Sequence, residues 1–470
     1  TLNANGDYKI SGEWTGTLTG ADYDHQKAVI TVPSDVTASV TLSDVTINAG
    51  SKDYFCAFAV EANGTANITL SGKNTLTSGG VRAGLEVSEN AKVTIDGTGG
   101  LTANGGYNGA GIGGGYGGSG GTIEISSGTV TATGGLGGAG IGGGSSGGSG
   151  GTIKISGGTV TATGDPDGAG IGGGSGSSSG GSGGTIEISG GTVTATSVHG
   201  AGIGGGYGYY GVGGSGGTIT ISGGMVMASS DRGAGIGGGI GYGYGGSGGQ
   251  FTVNGNAVVF AISNQAAHIG GSSGGSEGTK KLNQGVVFEG SNGTVHGSPE
   301  LPGDITIPDG STLTVPNGST LTVPDGTTVM NNGTITNSGT INDFSGSING
   351  SVNGNPINNK ASETAITFWK DGQKLTDGKA VYGDTVTVQV AVAQKNTRLR
   401  TAAPDQVIFR AGTTELGTET VTNGTASFSL PLTGDSWKPD SYTITAAYGG
   451  GAGLLPNDTG TAVLTVEKRG

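Results

Sequence analysis

A single cysteine, Cys56, stands in the 470 residues. One thiol excludes an internal disulfide and a cysteine-rich metal site. With Phe55 on one side and Ala57 and Phe58 on the other, it reads as a small buried residue. Only 12 prolines are present, and glycine does not fall at every third place, so a collagen triple helix is excluded. Hydrophobic residues make up 32% and charged residues 12%. That apolar supply is too thin for one thick globular core, but it suffices for an elongated core in which each residue meets only near neighbours. Basic residues are scarce, with 21 Lys and Arg against 34 Asp and Glu, a net charge of −13. Nucleic-acid phosphates call for the opposite balance, so no nucleic-acid partner is expected. The charge suits a soluble, self-repelling exported protein. No run approaches the ~18–20 apolar residues of a membrane span, so no membrane insertion of these residues is expected. The chain begins at Thr1 rather than Met. A signal peptide, further Ig-like copies and a cell-wall anchor are therefore sought outside it.

What is abundant is glycine, 108 residues, and it is organised. The motif Gly-Ala-Gly-Ile-Gly-Gly-Gly recurs with its alanine at Ala110, Ala139, Ala169, Ala201 and Ala234, in steps of 29, 30, 32 and 33. A degenerate copy follows at Ala267, and two earlier copies sit at Ala57 and Ala83. Eight copies with a slowly growing period predict a solenoid. Each unit holds three alternating runs: Ala-Gly-Ile, then Thr-Ile-Glu-Ile-Ser or Thr-Ile-Lys-Ile-Ser, then Thr-Val-Thr-Ala-Thr. Period two marks strands with one buried face, and no window shows a helical period. The predicted inward set is Ala110 and Ile112, Ile123 and Ile125, Val130 and Ala132, with their equivalents in later units. Glu124, Lys154, Glu187 and Thr220 are predicted to form an outward column stabilised by alternating charge.

The fold class predicted is all-β: a right-handed parallel β-helix over residues 1–357, then an Ig-like β-sandwich over 362–470. Trp14 and the runs before residue 50 are expected to cap the first end. Pro308, Pro316 and Pro324 recur every eight residues within Thr-Ile-Pro-Asp-Gly, Thr-Val-Pro-Asn-Gly and Thr-Val-Pro-Asp-Gly, and are expected to continue or cap the solenoid. Residues 355–360 read as a linker. Beyond them the glycine excess ends, and about seven short alternating runs suit a sandwich.

These coils resemble the pectate-lyase-like right-handed β-helices of Gly-rich surface adhesins from Gram-positive gut bacteria. The repeated Gly-Ala-Gly-Ile-Gly-Gly-Gly, the Thr-Ile-Glu-Ile-Ser and Thr-Val-Thr-Ala-Thr pairs, and residues 83–96 carry that likeness. The tail resembles a bacterial Ig-like domain, through Val381-Tyr382-Gly383-Asp384, Leu416-Gly417, Thr422-Asn423-Gly424-Thr425-Ala426 and the run from Tyr442 to Tyr448. Such modules act as spacers in longer chains. Both resemblances imply an extracellular setting on the bacterial cell surface or cell wall.

Candidate chemistry is sparse. The residue two before each motif alanine should form one surface column: Asn108, Gly137, Asp167, His199, Arg232 and Gln265, with Asp165, Asp231 and His268 nearby. A pair of carboxylates there, drawn from Asp165, Asp167 and Asp231, would suit glycoside hydrolysis or polysaccharide lysis. The alternative is a set of turn residues that are polar because turns are polar. Enzyme signatures of the resembled fold are missing. The solenoid has only Arg82 and Arg232 for arginine base chemistry, and the Asn-Thr-Asp, Asp-Asp and Gly-His-Gly sets of polygalacturonases are absent. Loops after the motif carry Tyr116, then Tyr207, Tyr209 and Tyr210, then Tyr242 and Tyr244. Rigid rings beside a glycine floor suit stacking on sugar faces or contact with a protein; shielding of glycine-rich backbone is the plainer alternative. The ligand-binding set is thus Asn108, Asp167, His199, Asp231, Arg232, Tyr207, Tyr209, Tyr210, Tyr242 and Tyr244. Gly-Gly-Ser-Gly-Gly-Thr puts Thr122, Thr152, Thr185 and Thr218 where a calcium repeat needs Asp, and no Gly-Lys-Ser/Thr phosphate loop exists, so no metal or cofactor is expected. Thr131, Thr161 and Thr194, beside Thr133, Thr163 and Thr196, resemble the ladders of ice-binding solenoids, but Met225 and Met227 break them, and strand propensity explains them. The reading is a non-catalytic adhesin or carbohydrate-binding β-helix on an Ig-like spacer. Its partner would be a glycan or a host or bacterial surface protein; a secreted polysaccharide-degrading enzyme is the alternative.

Overall fold

The computed structural model describes residues 1–2, 6–14, 28–50, 54–324, 326–344, 347–394, 406–422, 425–448, 454–455 and 460–470. Asp325, Asn423 and Gly424, read from sequence as turn or module residues, lie outside them. The chain divides into two compact units, Thr1–Pro302 with Ser311–Leu313, and Gly303–Gly310 with Thr314–Gly470.

The first unit is a parallel β-solenoid of three walls, to which most turns supply one strand each, while Thr37–Asn48 runs through the second and third as a single strand. The first wall is a nine-stranded sheet of very short strands, from Ala28–Val32 through Cys56–Val60, Leu85–Val87 and Ile112–Gly113 to Ile269–Gly270. Nine strands are one more than the eight motif copies, the extra one being Ala28–Val32. The second wall stacks Thr122–Ile125, Thr152–Ile155, Thr185–Ile188 and Thr218–Ile221 in register. The third stacks Thr129–Thr133, Thr159–Thr163, Thr192–Ser197 and Met225–Ser230. Identical residues face each other along each wall, Ile123 on Ile153 and Val130 on Val160, so a repeat in sequence becomes a column in space. The predicted inward residues Ile112, Ile123, Ile125, Val130 and Ala132, and Ala110 at the corner, are buried.

One glycine per turn is dictated by this geometry. Gly113, Gly142, Gly172, Gly204 and Gly237 follow the isoleucine of the first wall with φ between +133° and +138°, a conformation open to glycine almost alone. A Cβ on Gly172 would also stand 2.0 Å from the carbonyl oxygen of Gly204 in the next turn. The first-wall strand therefore stops after two residues, and the chain turns outward into the loop that carries the site.

At its start the solenoid is closed by Gly6–Trp14, which pairs in parallel with Thr37–Asn48, and Trp14 packs on the core as expected. Toward residue 300 the stacking direction ends: Asn292–His296 folds back antiparallel on Gly285–Glu289. On the outward face of the second wall, Lys154 pairs with Glu187 at 3.1 Å, as the alternating column predicts, while Glu124 reaches Lys92 at 2.8 Å rather than Lys154. These pairs are solvated and contribute little, ~0–1 kcal/mol each.

In the second unit the proline-spaced segments form parallel stacks of short strands. Ile305–Ile307 stacks on Val329–Asn331 and that on Ile348–Asn349; Thr320–Val323 stacks on Thr340–Asp343. Ile307, Leu321, Val323, Val329 and Ile341 form their buried side. Asn358–Lys370, a single strand, pairs in parallel with Thr340–Asp343 at one end and antiparallel with Thr385–Gln394 at the other. The sandwich then sets Asn358–Lys370, Thr385–Gln394 and Thr425–Pro431 against a five-stranded sheet ordered Lys379–Val381, Gly460–Glu467, Ser441–Tyr448, Gln406–Ala411, Thr414–Thr420. Phe368, Val388, Phe409, Leu430, Trp437, Ile444 and Leu464 fill the space between.

Candidate functional site

The predicted column exists as a hydrogen-bonded seam. The carbonyl of Asn108 accepts from the Ser145 N–H of the next turn (2.9 Å), Gly137 from Ser175 (2.7 Å), Asp167 from Tyr207 (2.9 Å) and His199 from Ile240 (3.1 Å). These four column residues thus each hold the first loop residue of the following turn. Two signals that are separate in sequence, the polar turn column and the tyrosine-bearing loops, lie on one face. Gly137 has a reason to be glycine: a Cβ there would meet Ser175 Oγ at 2.4 Å and Ser145 Oγ at 2.7 Å. Ser175 Oγ is itself buried without a hydrogen-bond partner.

Where the loops lengthen, they form stacked fingers. Gly176, Gly208 and Gly241 bridge in parallel from turn to turn, and Ser179, Val212 and Tyr244 do the same on the returning side. Small residues at the base let these backbones touch. The tips carry the rings outward: Tyr210 is 84% exposed, Tyr242 83% and Tyr244 67%, with Val212 at 45% between them. Rings this free of the backbone cover little of it, so shielding explains them poorly.

Tyr209 points the other way. Its hydroxyl donates to Asp167 Oδ2, and His199 Nδ1 donates to Asp167 Oδ1 at 2.5 Å. The Asp167 side chain is 6% exposed. Tyr207 bridges the group, with ring centroids 5.2 Å from His199 and 4.8 Å from Tyr209. Burial, then the hydrogen bond to the Asp167 carboxylate, pushes the Tyr209 phenol above its ordinary pKa. Both oxygens of Asp167 are engaged, an arrangement that fixes His199 and Tyr209 and orients the finger base.

The other predicted residues stand apart from this cluster. Asp231 is half-exposed, accepts from Asn264 Nδ2 at 2.9 Å and lies 4.0 Å from Arg232 Nε. Asp165 is exposed, and Asn108 is half-buried three turns before His199. Val212, Ser175 and the pairing of Tyr209 with Asp167 were not read from sequence. The last joins residues 42 positions apart, one turn and one finger, for which no spacing rule exists. His268 is half-buried and takes the Ser263 N–H of its own turn on Nδ1 at 3.0 Å. Among the described residues no group of three His, Cys, Asp or Glu could hold a metal ion.

Residues 373–467 match the family model described as bacterial Ig-like domain (group 3). Residues 123–145, 153–175, 186–207 and 219–240, in four successive turns, match the model described as beta helix repeat, and the finger residues 176–179, 208–212 and 241–244 fall outside these segments. No curated protein and no solved structure matches the chain. The chain is an all-β protein that joins a parallel β-helix to a bacterial Ig-like domain.

Proposed function

We propose that this is a non-catalytic glycan-binding solenoid, displayed outside a bacterial cell with its Ig-like domain as spacer. The exposed tyrosine ridge of Tyr210, Tyr242 and Tyr244 supports this most directly. Tyrosine keeps a rigid ring for the apolar face of a pyranose and a hydroxyl for its polar edge, at low entropic cost. The turn spacing of ~4.8 Å sets successive rings along a line, as an extended saccharide presents successive rings. His199, Tyr207 and Tyr209, held by Asp167, form the polar base behind the ridge, and Asn108, Asp231 and Arg232 lie farther along the seam. A soluble, acidic chain with one buried thiol fits a life outside the cell.

A glycan array probed with the full chain tests the reading, with a host or bacterial surface protein as the competing partner. Retention on at least one glycan class is expected, and its absence with capture by protein extracts would overturn it. Incubation with plant and mucin polysaccharides is expected to release no reducing ends or unsaturated sugars. Release that disappears in Asp167→Ala or Asp231→Ala would make the chain a polysaccharide-degrading enzyme instead.

A further inference from the structure

The turn around Ala83 breaks the repeat at two glycine places. Later turns have Gly109, Gly138, Gly168, Gly200 and Gly233 immediately before the motif alanine, where this turn has Arg82. They also have Gly113, Gly142 and Gly172 after the isoleucine, in register with Glu86. The two substitutions meet. Arg82 Nε donates to Glu86 Oε2 at 2.7 Å, with side chains 11% and 13% exposed, and Glu86 Oε2 also accepts from the Ala83 N–H at 3.2 Å.

Beside this pair lies a pocket of about 440 Å³ lined by Tyr54, Val81, Arg82, Glu86, Gly115 and Tyr116. That lies within the range of small-ligand sites, ~300–1,000 Å³. Tyr116 is held by its N–H on the Val81 carbonyl at 2.8 Å, the same seam bond that holds Tyr207 farther on, and its ring is 60% exposed. A Cβ on Gly115 would stand 2.9 Å from Val81 O and 3.0 Å from Glu86 Oε2, so glycine keeps the floor open.

We infer that this pocket is a subsite for one neutral pyranose unit. The two tyrosines offer ring faces to its C–H side. The ion pair offers a donor and an acceptor fixed side by side, and vicinal hydroxyls of a sugar can both give and accept hydrogen bonds. A charged ligand would be set against one member of the pair: an acidic sugar against Glu86, a cation against Arg82. An Arg and a Glu occupy these two places in one turn alone, the preceding turn having Phe55 and Ala59 there, so the site takes a single residue or chain end, unlike the ridge of stacked rings. The inference shares its ligand class with the proposed function but not its residues.

Saturation-transfer NMR on the full chain with glucose, galactose, mannose, N-acetylglucosamine and glucuronate tests it. At least one neutral sugar is expected to bind in the millimolar range and glucuronate more weakly. Tyr116→Ala, which leaves the buried ion pair in place, is expected to weaken binding at least tenfold with an unchanged melting temperature; Glu86→Gln is expected to do the same to binding. Met227→Ala, on an exposed position of the third wall outside both the pocket and the ridge, is expected to leave it unchanged. No transfer to any neutral sugar, equal binding in Tyr116→Ala, or preference for glucuronate would overturn the inference. Polysaccharide retention by the ridge is read separately with the Tyr242→Ala protein, so either site can fail without the other.

Discussion

Replacing Gly172 by alanine should damage the solenoid far more than its single added methyl suggests. Its φ of +135° is nearly closed to a side chain, a strain of ~1–3 kcal/mol. The new Cβ would also stand 2.0 Å from Gly204 O, which accepts the Gly173 N–H at 2.9 Å. Moving that carbonyl aside breaks the bond and leaves buried groups unpaired, a further ~1–3 kcal/mol. Gly172→Ala is therefore expected to cost roughly 2–6 kcal/mol in total, concentrated at the contact between two turns. Two controls separate the contributions. Gly117 has φ +72° but nothing within 4 Å of the place a Cβ would take, so Gly117→Ala should cost about 1–2 kcal/mol from backbone strain alone. Gly100 has no positive φ, and its nearest neighbour would be Thr129 O at 3.7 Å, so Gly100→Ala should be neutral or stabilising by ~0.4–1 kcal/mol. Urea unfolding followed by far-ultraviolet circular dichroism reads the totals, and amide exchange around Ile171 and Ile203 reads the local loss. Equal stability of the three variants within ~0.5 kcal/mol would refute the view that these glycines are set by turn-to-turn contact.

Cys56 is buried and its thiol is pushed up to about 12 by burial, so it should resist maleimide at pH 8 in the folded chain and react promptly in urea. Tyr209 has a folded pKa raised above its unfolded value, so its contribution to stability is complete below about pH 10 and is lost as pH rises through the folded value. Alkaline unfolding should therefore begin above pH 10, and Asp167→Asn should return the Tyr209 phenol toward its ordinary pKa in an ultraviolet titration. In the sandwich, the Asp384 carboxyl is held below its usual value by Lys370 at 2.8 Å, and the Val381 N–H adds to this at 2.9 Å. A lowered folded pKa gives stability that is present above about pH 4 and lost as pH falls through the folded value. Asp384→Ala should cost about 1 kcal/mol at pH 7 in the melting of the Ig-like domain, and much less in strong acid.

The walls were legible because each turn repeats the same inward residues, Ile112, Ile123 and Val130, and alternation fixes which face is buried. The fingers were not, since runs such as residues 173–184 are glycine and serine without alternation, and their order comes from backbone contact with neighbouring turns. Column spacing alone brought Asp167 and His199 into adjacent turns, and their contact follows from it. The Tyr209 bond to Asp167 needed the finger's path. In the sandwich, Thr414–Thr420 has no buried residue, so its pattern carries no amphipathic signal, and Lys379–Val381 is too short to carry one. Arg82 was visible as one of two solenoid arginines, but its meaning depends on Glu86 standing beside it in space.

The most direct test is affinity electrophoresis of the full chain through gels containing the polysaccharide it retains, comparing wild type with Tyr210→Ala/Tyr242→Ala/Tyr244→Ala. All three rings are exposed, so the triple variant should keep its melting temperature. Stacking of ~0.5–1.5 kcal/mol per ring predicts a loss of retention of at least tenfold. Unchanged retention in a folded triple variant would contradict the account and move the binding face off the fingers.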